Sequence, residues 1–237
     1  MPEALALRKV TAGYGETHVL ESIDLALAEG ESLSVIGRNG VGKSTLLETI
    51  MGHTTLHAGE IALGARRMDR APAHERALAG LGYVPQEREI FPSLSVEENL
   101  SVAQRVRSGP SRWTLERVYE LFPRLAERRH HRGNQISGGE QQMLAVARAL
   151  LTNPVVLLMD EPTEGLAPVI VQALAQVLLR LRAAGGLSIV LVEQNSRVAL
   201  EFSARTVVMD KGRIVYDGAS ERLRADPEYL ASLIAAE

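Results

Sequence analysis

Alternation of apolar and polar residues marks two strands at the start of the chain, Leu5 to Val10 and Val19 to Leu27. The turn-like Ala12-Gly13-Tyr14-Gly15 lies between them, with Tyr14 in the turn rather than in the alternation. Leu33 to Ile36 is a short apolar run and reads as a buried parallel strand. It breaks at Gly37, and helical spacing starts near Lys43, with Leu46, Leu47 and Ile50 on one face. Gly59 to Leu63 reads as a strand, followed by a polar connector through Arg70 and a short helix from about Pro72. The strand Gly82-Tyr83-Val84-Pro85 then ends at Gln86, at the kind of strand end where ligand sites in open α/β sheets concentrate.

From Glu87 to about Gln135 the pattern changes and no strand signal occurs. Phe91 to Ser95 is a turn, and Ser95-Val96-Glu97-Glu98 has the spacing of a helix capping box. Helical periodicity runs to Val106, breaks at Ser108-Gly109-Pro110, and resumes from Arg112 to Arg129 with a kink or break at Pro123. The expected division is therefore a helical lobe at 87–135 inserted into an α/β core formed by 1–86 and 136–237.

After the lobe, Ile136-Ser137-Gly138-Gly139-Glu140 opens a helix whose apolar face includes Met143, Val146, Ala147 and Leu150. Val155 to Met159 is a continuous apolar run, hence a central strand buried on both faces, ending in Asp160-Glu161-Pro162. A helix from about Pro168 to Ala183 stops at Gly185-Gly186. The strand Ser188 to Val192 leads into Glu193-Gln194-Asn195, and another helix precedes the strand Thr206 to Met209. A turn at Asp210-Lys211-Gly212 joins that strand to Arg213 to Tyr216, and the chain finishes in helical residues. The fold expected is α/β, with a mainly parallel sheet, an N-terminal antiparallel β portion and the helical insertion.

Composition narrows the partners. The 237 residues suffice for one sizeable α/β domain or a core with a smaller lobe. A net charge of −3, from 26 Lys and Arg against 29 Asp and Glu, gives no global reason to bind nucleic acid or anionic lipid. The densest basic cluster, Arg124, Arg128, Arg129, His130, His131 and Arg132, reads as a solvated helix end. Cysteine is absent, which excludes disulfides and thiolate metal sites and is compatible with a reducing cytosol. No apolar run is long enough to span a bilayer, and the N-terminus lacks the pattern of a secretory signal.

The chemistry concentrates at Gly37-Arg38-Asn39-Gly40-Val41-Gly42-Lys43-Ser44-Thr45, between a buried strand and a helix. Glycines let backbone N–H groups converge on phosphate oxygens, and the helix N-terminus adds partial positive charge there. Lys43 can reach the β- and γ-phosphates of a nucleoside triphosphate, and the Ser44 hydroxyl can ligate Mg²⁺. Asp160, at the end of the apolar central strand, stands where the acidic partner for Mg²⁺ belongs. The adjacent Glu161 can polarise a water in line with the γ-phosphate, a general-base role worth typically about 10²–10⁴ in rate. Tyr14 is either a packing residue or a platform for a base, the latter worth about 1–3 kcal/mol.

Taken together, the phosphate loop, Gln86, Ser137-Gly138-Gly139-Glu140-Gln141 and Asp160-Glu161-Pro162-Thr163 resemble the ATP-binding cassette ATPases over essentially the whole chain. The resemblance implies ATP and Mg²⁺ as cofactors, Tyr14 stacking on adenine, and Gln86 contacting both Mg²⁺ and the attacking water. It also implies that Ser137 to Glu140 grip the γ-phosphate of ATP held by a second subunit, two subunits sandwiching two ATP molecules head to tail. That agrees with the physics of Ser137 to Gly139 as a small-residue helix N-terminus. Tyr119 to Arg128, Ser137 to Ala145, Gly165-Leu-Ala-Pro168 and Val192-Glu-Gln-Asn195 are similar to the smaller ATPase of bacterial branched-chain amino-acid importers. Arg38 to Val41, Arg88 to Pro92 and Thr163-Glu-Gly165 look equally like the ATPase of urea and short-amide importers.

Either resemblance implies a second ATPase subunit, two integral membrane permeases and an extracytoplasmic solute-binding protein, with no nucleic acid involved. The chain is then expected as a peripheral protein on the cytoplasmic face of the inner membrane. Rival readings are a lipid or lipopolysaccharide exporter ATPase and a soluble cassette factor acting on ribosomes or DNA. Two positions depart from the general family, which usually carries histidine at Gln194 and aspartate at Ala167. Gln194 can donate an amide N–H to phosphate but cannot carry positive charge; otherwise it serves as a helix cap.

Overall fold

The computed structural model describes residues 2–104 and 111–235. The chain begins with β1 (Glu3–Tyr14), β2 (Thr17–Ala28) and β3 (Ser32–Ile36), followed by α1 (Lys43–Met51). Next come β4 (Thr55–Leu63), β5 (Arg66–Arg67), α2 (Ala73–Ala79) and β6 (Leu81–Val84). Then follow α3 (Val96–Ala103), α4 (Leu115–Leu121), α5 (Pro123–Glu127), a 3₁₀ turn at Gly133–Gln135 and α6 (Gly138–Leu151). The last third holds β7 (Val156–Asp160), α7 (Pro168–Ala183), β8 (Ser188–Val192), α8 (Ser196–Phe202), β9 (Arg205–Asp210), β10 (Arg213–Ala219), α9 (Ser220–Ala225) and α10 (Pro227–Ala235).

Two sheets result. The antiparallel one has the order β2-β1-β4-β5, and the larger has the order β10-β9-β3-β8-β7-β6. Within the larger sheet, β9, β3, β8, β7 and β6 run parallel and only β10 is antiparallel. Residues of the central strands alternate between two cores, as strand pleating requires. Leu158, Val190 and Val192 face the antiparallel sheet and α1, whereas Leu157, Met159, Ile189 and Leu191 face α6 and α7. All seven are fully buried, each stabilising the fold by about 1.5–3 kcal/mol. This double burial explains why these strands read as uninterrupted apolar runs.

The first hairpin differs from the sequence expectation. β1 and β2 extend well beyond the alternating stretches, and Tyr14 is the last residue of β1, paired with Thr17, rather than a turn residue. Register shifts between Leu7 and Val10 and between Val10 and Ala12 explain the error, because each bulge breaks the period of two. β5 reads as connector because it is two exposed arginines. At α3 the capping box forms as expected: Ser95 Oγ accepts from Glu98 N–H at 3.1 Å and Glu98 accepts from Ser95 N–H at 2.7 Å. That helix ends at Ala103, with Gln104 in extended conformation, instead of running to Val106. Val106 and the break at Ser108-Gly109-Pro110 lie outside the described residues. Pro123 is a break, starting α5 at its first position, where its missing N–H costs nothing.

Between Glu87 and Gln135 the described residues form these short helices and one isolated bridge, Ser95 to Arg132. Asn99, fully buried, holds the segment before α3: it accepts from Phe91 N–H and donates to the carbonyls of Phe91, Leu94 and Ser95. Trp113 is buried against this side of the core, its backbone N–H donating to Asn153 Oδ1 at 2.7 Å, with the Arg112 guanidinium over its ring. The basic cluster from Arg124 to Arg132 is mostly exposed, as expected of a solvated end.

Candidate functional site

The ends of β3 and β7 and the segment after β8 converge at one edge of the larger sheet. Between β3 and α1 the chain closes on itself so tightly that a Cβ at Gly37 would lie 2.5 Å from the Met209 carbonyl oxygen. Gly42, at φ 104°, turns the loop into α1 in a conformation that side chains disfavour. Val41 packs into the core and anchors the loop, while Arg38, Asn39 and Gly40 stay exposed at its tip.

Lys43 is buried and curls back over this loop. Its Nζ donates to the carbonyl oxygens of Gly37 and Arg38, both at 3.0 Å, and lies 3.1 Å from Glu161 Oε1. Glu161 is also buried, with a left-handed backbone (φ 43°), strain of about 1–3 kcal/mol fixed by its N–H bond to the Val192 carbonyl at 3.0 Å. Asp160 beside it is 2% exposed. Burial pushes its carboxyl up to about 6, against the opposing pull of a Ser44 hydroxyl hydrogen bond and the Lys43 ammonium. One of its oxygens, Oδ1, has no hydrogen-bond partner. A buried carboxylate with an orphaned oxygen, bonded to a hydroxyl at a helix N-terminus, is a donor set that fits a hard divalent cation.

A cavity of about 240 Å³ opens here, lined among others by Asn39, Gly40, Lys43, Ser44, Gln86 and Glu161. The structure therefore brings the loop after β3, the end of β6 and the end of β7 to one place. Exposed Gln86 donates to the Glu164 carboxylate. Tyr14 is 49% exposed, about half of its surface open to solvent. Its hydroxyl donates to the Glu48 carboxylate and lies 3.4 Å from Thr45 Oγ1, tying the β1 end to the first turns of α1.

Ser137, Gly138, Gly139 and Glu140 do not line that cavity. They build the start of α6: Ser137 Oγ accepts from Glu140 N–H at 3.3 Å, and Glu140 accepts from the Ser137 N–H and Oγ–H, both at 2.8 Å. Gly139 is buried against Ile170, whose Cγ2 would stand 2.5 Å from an added Cβ. Ala167 occupies the position before α7 with no side-chain cap bond.

Past β8, a neighbouring cavity of about 610 Å³ is lined by Glu161, Thr163, Glu193 and Gln194, among others. Gln194 is exposed, and the cap of α8 is Asn195, which accepts from Val198 N–H at 3.3 Å. The helix-cap reading of Gln194 is thus corrected by one position. Sequence reasoning gave no role to Glu193, which is 2% exposed and accepts from Thr163 N–H at 3.1 Å and Thr163 Oγ1–H at 2.9 Å. Burial pushes its carboxyl up to about 7, even against those bonds. An acid directly after an apolar central strand was the signal that could have found it.

The description "ABC transporter" belongs to the family model that matches residues 20–164. Among curated relatives, the high-affinity branched-chain amino acid transport ATP-binding protein BraG of Pseudomonas aeruginosa is 38% identical over 225 residues, covering 94% of this chain and 96% of that protein. The probable branched-chain amino acid transport ATP-binding protein LivF of Archaeoglobus fulgidus is 37% identical, covering 91% of this chain and 92% of its own length. A dimeric post-hydrolysis structure of the ATP-binding cassette MJ0796 with ADP and phosphate superposes with a TM-score of 0.78 at 27% identity, covering 91% of this chain and 98% of that one. The chain belongs to the ABC transporter family and is an ATP-binding, ATP-hydrolysing subunit of a transporter.

Proposed function

We propose that this chain powers a bacterial importer, with branched-chain amino acids as the transported class, from the cytoplasmic face of the inner membrane. The substrate class is supported by the names of the two relatives above, BraG and LivF. The hydrolytic reading is carried by one observation: Lys43, Glu161 and Asp160 are buried side by side at the mouth of the glycine loop. ATP entering there gives Lys43 phosphate oxygens in place of loop carbonyls and the Glu161 carboxylate. Backbone N–H groups of Arg38 to Thr45 hold the phosphates, and the exposed Tyr14 ring stacks on adenine.

Glu161 then takes a proton from the water that attacks the γ-phosphorus. The bond to the bridging oxygen breaks, and ADP and phosphate leave. Ser44 and Asp160, with Gln86 beside them, would hold Mg²⁺, which would neutralise charge on the phosphate oxygens. Gln194 orients the γ-phosphate by an amide N–H and carries no charge. The Ser137 to Glu140 turn of a partner subunit closes over the same phosphate. The helices of 87–135, through the segment Gln86 to Leu94, pass closure to a permease loop.

Co-purification of the tagged chain from native membranes in mild detergent, followed by mass spectrometry, tests this reading. Two polytopic permeases and a sister ATPase are expected, and the permeases identify the solute, amino acid or urea and short amide. Ribosomal proteins, or no membrane partner at good recovery, overturn it.

A further inference from the structure

A strand and two loops meet at Glu193. Its own N–H donates to the Val35 carbonyl at 3.1 Å, on the strand that leads into the glycine loop. Its carboxylate accepts both the N–H and the hydroxyl of Thr163, two residues after Glu161, at 3.1 and 2.9 Å. It also accepts the Asn195 N–H, one residue after Gln194. The carboxylate bonds named here go to the two loops that carry Glu161 and Gln194. An ionised carboxylate that is 2% exposed is costly, and burial dominates its titration. An amide of the same shape fills the same space without that cost. The two bonds from Thr163 make this buried side chain a tie between the end of β8 and the turn that carries Glu161.

We propose that Glu193 is a positioning residue for hydrolysis: it locks the turn 161–163 to the loop 194–195, so that Glu161 and Gln194 approach the γ-phosphate as one unit. Thr163 is its partner, since that residue offers both a backbone and a hydroxyl donor. The inference rests on the assignment of Glu161 as the base. It adds that the base is aimed from β8, across the sheet edge, rather than by its own strand alone.

The test compares Glu193→Ala, Glu193→Gln, Thr163→Val and Thr163→Ser in the complex purified with its membrane partners, with Glu161→Gln in parallel. Glu193→Ala lowers kcat on the order of 10–100-fold while KM for ATP stays within about threefold, the pattern of misplacement rather than lost binding. Thr163→Val moves the same way and Thr163→Ser, which keeps the hydroxyl, restores turnover. Hydrogen exchange on the full chain reads the clamp directly: in Glu193→Ala the Thr163 and Asn195 amides exchange at least about tenfold faster while β8 does not. If Glu193→Ala fails to fold, Thr163→Val and its exchange pattern decide. Unchanged kcat, a loss confined to KM, or unaltered exchange at Thr163 and Asn195 overturns the proposal. Full turnover in Glu161→Gln instead removes the base assignment, an outcome distinct from these.

Discussion

Lys43 Nζ and Glu161 Oε1 stand 3.1 Å apart, with both side chains less than a tenth exposed. On the function proposed above, a phosphate that draws Lys43 away also frees Glu161, so binding and activation would be one event. Lys43→Ala breaks this pair from one side. Nucleotide binding or turnover is lost, and Glu161 is left buried without its cation. Denaturant unfolding without nucleotide should show destabilisation of about 3–5 kcal/mol. A stability change below about 1 kcal/mol would mean that water already screens the pair.

Glu161→Gln keeps the shape and removes the proton acceptor. ATP affinity persists while turnover falls by about 10²–10⁴-fold. With ATP and Mg²⁺ present the closed dimer accumulates, and light scattering should show twice the mass. Turnover near that of the unaltered chain contradicts a base role for Glu161.

Glu193 makes stability depend on pH. Its ordinary value of 4.5 is pushed by burial to about 7, so folding takes up a proton between these limits. The stabilisation is complete below about pH 4.5 and is lost as pH rises through about 7. Glu193→Gln cannot titrate. Its stability relative to the unaltered chain should rise by on the order of 2–3 kcal/mol from pH 5 to pH 8, read by urea unfolding at each pH. The same variant loses turnover, a trade of activity for stability.

Asn99 supports the Phe91 to Ser95 turn with four side-chain hydrogen bonds from a fully buried position. Asn99→Ala removes the acceptor of the Phe91 N–H, while the Phe91, Leu94 and Ser95 carbonyls keep the backbone N–H groups of Leu94, Gly133 and Asn99. A loss of about 2–3 kcal/mol is expected, with faster amide exchange at Phe91.

Gln194 lines the same cavity as Glu161 and Glu193 and is exposed. Gln194→His places a group that titrates near neutrality beside the base. The kcat profile of the assembled transporter should gain a dependence on pH between about 6 and 7. An unchanged rate and profile would leave Gln194 without a part in hydrolysis.

Much of this was legible in the sequence, for reasons that differ by element. The central strands announced themselves because both faces are buried, and the glycine loop because its residues are contiguous between strand and helix. Tyr14 was misplaced because bulges in β1 and β2 interrupt the alternation. Glu193 was overlooked because its meaning lies in Thr163, a residue on a different strand end. Asn99 and Arg76 were silent for the same reason. Arg76 is buried and donates to the carbonyls of Thr49 and Ile50 at the end of α1, both at 2.8 Å, a task no local pattern encodes.

Trp113 is the sole tryptophan of the chain, buried beside α4 with a cation over its ring, whereas the glycine loop has none. The molecule therefore carries a built-in optical label on its helical side. An emission change on adding ATP reports rearrangement at a distance from the phosphates, not quenching by the nucleotide itself. Stopped-flow fluorescence of the unmodified chain can then time when the helices respond relative to phosphate release.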